Sequence, residues 1–169
     1  MTELNNIKAV IFDWGDTLMR DFPDFKGPMA YWKKIMVMPG VVTALERLHK
    51  EYILCAASNA GDSDAVMMGE ALARAGIRRY FRRIYTSKEL GFSKPDERFF
   101  LVIAKRIRVK PEECLMVGND YEKDIIPAKS IGMKTVLFLE MDYVKKFESA
   151  DFKVHSIKEI LSPDILDKE

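Results

Sequence analysis

The sequence is poor in the residues that build disulfide scaffolds and histidine-rich centres. Of 169 residues, two are cysteine and two are histidine. Cys55 and Cys114 each lie in an apolar run. Thiols placed that way fit buried side chains in a reducing, cytoplasmic setting rather than a disulfide framework. His49 and His155 fall outside the acidic segments described below and read as structural or exposed, because a histidine ligand needs convergent partners. Excess charge is also missing: 27 Lys and Arg face 26 Asp and Glu, which argues against a nucleic-acid binder driven by bulk charge. No apolar run is long enough to cross a bilayer, and MTELNNIK at the start lacks the basic and apolar regions of a secretory signal. Neither a repeat nor a low-complexity segment occurs, and the length suits one domain, residues 1–169, with a full core.

What is present is an alternation of short apolar runs and amphipathic segments. Residues 7–12, 52–57, 84–86, 114–117, 134–139 and 152–154 read as strands. Between them, Val41, Val42, Leu45 and Leu48 mark one helix face, and Ala65, Met68, Leu72 and Ala75 a second. Asp62 or Ser63 suits the cap of that second helix, and Gly76 its end. Pro95 suits the first turn of a third helix, followed by Asp96 and Glu97 at its positive end; Lys105, Arg106, Arg108 and Lys110 complement its other end. Ile125, Ile126, Ala128 and Ile131 define a fourth helix, and a last one starts at Ser156. Residues 14–38 read as irregular yet carry large apolar side chains, so residues 19–38 are either a flap beside the site or ordinary surface packing. Strand and helix alternate throughout, which predicts an α/β, doubly wound, three-layer fold with a mainly parallel, Rossmann-like sheet and no large cap domain.

In such sheets the chemistry sits beyond the carboxyl ends of the strands. Four chain segments reach that edge: Asp13 after the first strand, Ser58 after the second, the loop holding Lys94, and residues 119–124 after the fourth. A carboxylate such as Asp13 at a strand end is costly unless something positive is bound to it, which makes it a nucleophile, a metal ligand, or both. Each residue alone has a bland alternative as a turn, a cap or a solvated charge. Their joint order is far more specific.

That order resembles the haloacid dehalogenase-like (HAD) superfamily, from Ile7 to about Leu161. The matching text is IFDWGDTL (11–18), ILCAASN (53–59), GFSKPDERFF (91–100) and LMVGNDYEKDIIPAKSIGMKTV (115–136). The resemblance implies a hydrolase, most simply a phosphatase of a phosphorylated small molecule or other phosphorylated substrate. Asp13 matches the nucleophile that forms an aspartyl-phosphate. Ser58 matches the hydroxyl that binds the phosphoryl group, assisted by the Asn59 backbone amide, and Lys94 the lysine that neutralises nucleophile and phosphate. Mg²⁺ is the implied cofactor, held by Asp13, the Gly15 carbonyl and the side chains of Asn119, Asp120 and Asp124.

Two departures stand out. The usual Asp-x-Asp-Gly-Thr appears here as Asp13-Trp14-Gly15-Asp16-Thr17, so Gly15 replaces the family's general acid and Asp16 is the nearest substitute, displaced by one residue. Asn119 stands where an aspartate is usual, with Asp120 and Asp124 available to compensate. Three readings follow: a phosphatase, a dehalogenase- or phosphonatase-like hydrolase that lacks this acid, and a weakly active or inactive homologue that binds a phospho-ligand or a protein. With no long insertion, the site is expected to be open, or covered by a second subunit through Phe25, Tyr31 and Trp32, so both monomer and homodimer stay on the table.

Overall fold

The computed structural model describes residues 6–166; the two ends of the expected 1–169 domain lie outside the described residues. Six parallel strands form one sheet: β1 (Ala9–Phe12), β2 (Ile53–Ser58), β3 (Arg83–Thr86), β4 (Cys114–Gly118), β5 (Lys134–Phe138) and β6 (Phe152–Val154). Their order is β3-β2-β1-β4-β5-β6. The chain builds outward from β1 on one side, then returns to place β4 against β1 and builds outward on the other. The order therefore reverses at β1, and the crevice at that reversal is where open α/β sheets bind ligands. Register brings the strand ends level: Phe12 pairs with Ala56 on one side and Val117 on the other. The next amide, Asp13 N–H, donates to the Val117 carbonyl at 2.9 Å, which fixes the direction in which the chain leaves the sheet.

Strand periodicity divides the core into two layers. Val10 and Phe12 face a cluster with Leu54, Leu115 and Val136. That layer is covered by α1 (Val41–Leu48), α2 (Ala65–Arg74) and a 3₁₀ turn, Ile157–Leu161. Ala9 and Ile11 face the other layer, with Cys55, Cys114 and Met116. It is closed by Phe99, Phe100 and Ile103 of α4 (Glu97–Ile107), with Leu90 of α3 (Ser87–Leu90) and Ala128 of α5 (Ile126–Ser130). Both faces of the sheet are buried, which explains why the strands read as nearly continuous apolar runs. The two thiols are free and buried, as expected.

Local details differ from the sequence reading. Asp64, not Asp62 or Ser63, caps α2, its carboxylate accepting from the Met67 amide at 2.9 Å. Pro95 lies before α4 rather than in its first turn; Asp96 is the cap and the Lys94–Pro95 bond is cis. The segment after β4 begins as a single π turn, Tyr121–Ile125, and only then becomes α5. The terminal segment after Ser156 is 3₁₀ rather than α. α3 was not visible in the sequence because four residues carry too little periodicity to register.

The segment between Leu18 and Pro39 is not wholly irregular. Met19 bridges both Gly15 and Val37, and Met29–Tyr31 forms a 3₁₀ turn packed on α2. Arg74 of α2 donates to the Ala30 carbonyl at 2.7 Å. Phe22 and Phe25 each meet Trp32 edge to face and tilt against each other. Of the three aromatics expected to cover the site, Trp32 is buried in this packing and Tyr31 is exposed.

Candidate active site

Lys94 is the hub of the site. Its ammonium reaches Asp13 Oδ1 at 2.9 Å, Asp124 Oδ1 at 2.7 Å and the Ala57 carbonyl at 3.1 Å. A lysine has three N–H donors, and all three are used. The side chains of Lys94, Asp124 and Asp13 are 3%, 1% and 13% exposed. Burial works against the charged ammonium, but Asp13 and Asp124 outweigh it and raise its proton affinity. For Asp124, burial and the Asp13 charge outweigh the Lys94 attraction and lift its carboxyl to about 7. The two directions express one fact: a single cation sits between two carboxylates, so the buried cluster carries surplus negative charge.

The loop that delivers Lys94 is clamped by Asn59. The Asn59 side chain accepts from the Lys94 amide at 2.8 Å and donates to the Lys94 carbonyl at 3.1 Å, while its own carbonyl accepts from Ser87 of α3. Sequence reading gave Asn59 a backbone role only; the side chain ties the end of β2 to the loop between α3 and α4. Ser58 ends β2 with its Oγ accepting from the Ala60 amide at 3.1 Å. That leaves the Ser58 hydroxyl hydrogen to be donated into the crevice.

Thr17 is a residue that motif reading passed over. It is fully buried, and its hydroxyl lies 3.3 Å from Asp13 Oδ2 and 3.1 Å from Asn119 Oδ1. It therefore stands between the second Asp13 oxygen and the amide oxygen of the β4 turn. In that turn Asp120 uses Oδ1 as a cap for the Glu122 and Lys123 amides. Asp124 Oδ2 accepts the Asp120 amide at 3.1 Å. Gly118 is required for this: a Cβ there would stand 2.3 Å from Asp124 Oδ2.

One crevice of about 260 Å³ is lined by Asp13, Gly15, Asp16, Ser58, Asn59, Lys94, Asn119, Asp120 and Asp124, so the fold brings together every residue picked from the sequence. Asp21, which the sequence reading did not single out, and Lys123 complete the lining. Asp16 sits in the left-handed region, φ 57°. Its Oδ1 accepts from Arg20 at 3.2 Å and from the Asp21 amide at 3.0 Å. Arg20 also makes a two-armed bond to Glu140. The Asp21 carboxyl is held above the usual carboxylate range by burial first, then by the charges of Asp16 and Asp13. Neither histidine lines the crevice; His49 bonds the Leu45 carbonyl and His155 the Leu139 carbonyl.

Among the described residues, no group of three or more His, Cys, Asp or Glu side chains is arranged to hold a metal. The donors that do converge are mixed oxygens: the Asp13 carboxylate, the Asn119 amide beside it, and Asp124 below. Hard oxygen donors few in number suit Mg²⁺, which keeps several waters, and the surplus negative charge of the cluster favours a cation.

With the strand order, the four converging loops and the buried lysine–carboxylate cluster in place, the class is defined: this chain belongs to the haloacid dehalogenase-like hydrolase family, whose model matches residues 20–132. The match begins after Asp13, so the first acidic turn is placed by the structure rather than by the family model. The chain is 37% identical over 102 residues to a glyceraldehyde 3-phosphate phosphatase from Methanocaldococcus jannaschii, covering 59% of this chain and 45% of that protein. It spans about half the length of the curated relatives it matches. In fold it is similar to a HAD phosphatase from Thermococcus onnurineus, with a TM-score of 0.80 and 22% identity over 96% of this chain and 99% of that one. It is also similar to YfnB from Bacillus subtilis, solved bound to magnesium, with a TM-score of 0.78 and 14% identity over 97% and 100% of the two chains. Among the described residues, no helix is long and apolar enough to cross a membrane.

Proposed function

We propose that this protein is a Mg²⁺-dependent phosphatase of small phosphorylated molecules, with Asp13 as the nucleophile. The observation that carries the reading is the state of Asp13. Its carboxylate stands at the end of β1, where the sheet order reverses, with Oδ1 held by Lys94 and Oδ2 by Thr17. Nucleophilic catalysis splits a difficult displacement into two easier ones, and fixing both oxygens presets the line of attack. The Ser58 hydroxyl, at the end of the neighbouring strand β2 and in the same crevice, donates to a phosphoryl oxygen. Lys94 keeps Asp13 and Asp124 in place and offsets negative charge as the phosphate arrives. Because its three donors are already used, Lys94 acts by charge unless one contact is exchanged. Mg²⁺ fits the oxygens of Asp13, Asn119 and Asp124, with Asp120 and the Gly15 carbonyl in the same crevice. When bound, it offsets the charge of two anions that must come within bonding distance. The phosphatase relatives support a small phosphorylated substrate. One observation favours a second reading, a dehalogenase- or phosphonatase-like hydrolase: Gly15 has no side chain to serve as an acid.

Assay of an aryl phosphate with and without Mg²⁺, alongside Asp13→Asn, separates these readings. Metal-dependent turnover that the substitution abolishes is expected. No turnover across a broad panel of phosphate esters would sink the phosphatase. The same reading treats residues 19–38 as a flap of a single domain acting in the cytoplasm as a monomer, or as a homodimer that covers the crevice. Light scattering decides between the two assemblies.

A further inference from the structure

The space beside Gly15 is bordered by another carboxylate of the chain. Apart from its chain neighbours, an ideal Cβ built on Gly15 lies nearest to Asp21: Cβ at 3.5 Å, Oδ2 at 3.8 Å and Cγ at 3.9 Å. A side chain at position 15 would therefore start in van der Waals contact with Asp21, which puts the Asp21 carboxylate beside the position the usual acid takes. Asp21 also stands at a junction. It lines the crevice shared with Asp13 and Ser58, and it lines a second cavity of about 290 Å³ walled by Trp14, Met29 and Trp32. Among the described residues, Gly15 and Ser58 are the others that line both spaces. A phosphate ester lying on Asp13 would place its phosphoryl group in the first space and its leaving group toward the second, with Asp21 between them.

Asp16, the nearer candidate in sequence, is otherwise engaged. Its Oδ1 is bonded to Arg20 and to the backbone amide of Asp21. Those two contacts hold the turn that presents Asp21, which makes Asp16 a positioning residue.

We propose that Asp21 supplies the acid–base carboxyl that position 15 lacks. This rests on the phosphatase reading above. In the first step an Asp13 oxygen bonds to phosphorus, the bond from phosphorus to the ester oxygen breaks, and the Asp21 carboxyl gives its proton to the departing oxygen. The products are an alcohol, the aspartyl-phosphate and an Asp21 carboxylate. In the second step water bonds to phosphorus and gives a proton to Asp21, and the bond to Asp13 breaks. Phosphate leaves, and both side chains return to their starting forms.

The test is the dependence of kcat/KM on leaving group in Mg²⁺, using 4-nitrophenyl phosphate and phenyl phosphate. The first departs readily without a proton; the second needs one. Asp21→Asn is expected to lose at least about tenfold more on phenyl phosphate than on 4-nitrophenyl phosphate, within the usual reach of general acid help. Asp21→Ala is expected to show the same selective loss, and Gly15→Asp added to it to restore phenyl phosphate turnover. Equal losses on both substrates, failure of the relocated carboxyl to restore turnover, or a selective loss in Asp16→Asn instead would each overturn the proposal. A wild-type protein inactive on both esters would instead overturn the phosphatase reading itself, which keeps the two failures distinct.

Discussion

Lys94 and Arg20 each hold two carboxylates beside the same crevice, under opposite solvent conditions. Lys94 is 3% exposed between Asp13 and Asp124. Arg20 is 26% exposed between Asp16 and a Glu140 that is 45% exposed. A buried pair repays desolvation only while every partner is present, so losing one leaves an uncompensated charge. An exposed pair is screened by water and salt and contributes little energy. The lysine cluster therefore sets the charge and position of Asp13, whereas the arginine cluster sets the shape of the turn from Asp16 to Asp21.

Breaking the buried side gives the largest effect. Lys94→Met leaves Asp13 and Asp124 facing each other without their cation. Turnover is expected to vanish, with stability falling by about 3–5 kcal/mol in urea denaturation. Mg²⁺ should raise the Tm of this variant more than that of the wild type, and an equal rise in both would argue that the cation does not replace the missing charge. Gly118→Ala tests the same cluster from below. The new methyl meets the Asp124 carboxylate, which Lys94 and the Asp120 amide hold in place. Strain of about 1–3 kcal/mol is expected, together with weaker Mg²⁺ binding by calorimetry. The exposed side gives the smallest effect: Arg20→Ala should cost less than about 1 kcal/mol, and the difference should shrink as salt is added. A loss from Arg20→Ala as large as that from Lys94→Met would erase the distinction between the two clusters.

The strands were legible because both faces of the sheet are buried and each strand is correspondingly apolar. Most residues lining the crevice were legible because they follow a strand, and parallel strands in register bring their ends level; Lys94 instead reaches it from the loop between α3 and α4. Less was legible where competing residues have the same chemistry. Asp62, Ser63 and Asp64 are all competent caps, and only the path of the chain from β2 selects Asp64. Thr17 looked like part of a turn; its link to Asn119 joins positions 102 apart in sequence, and no local pattern reports that. Asn59 and the Lys94 backbone, 35 apart, are a second case.

The sequence by itself determined the alternation of strand and helix, the family, and the set of charged groups at the strand ends. It also exposed the missing carboxylate at Gly15. Only the tertiary structure decided which carboxylate stands nearest to that gap. Side-chain direction in an aperiodic turn depends on backbone angles and on contacts from distant residues. Asp16 adopts φ 57° and is held by Arg20, which Glu140 anchors from beyond β5. That arrangement turns the chain so that the Asp21 side chain, six residues after Gly15, lies within 4 Å of where a Cβ on Gly15 would stand.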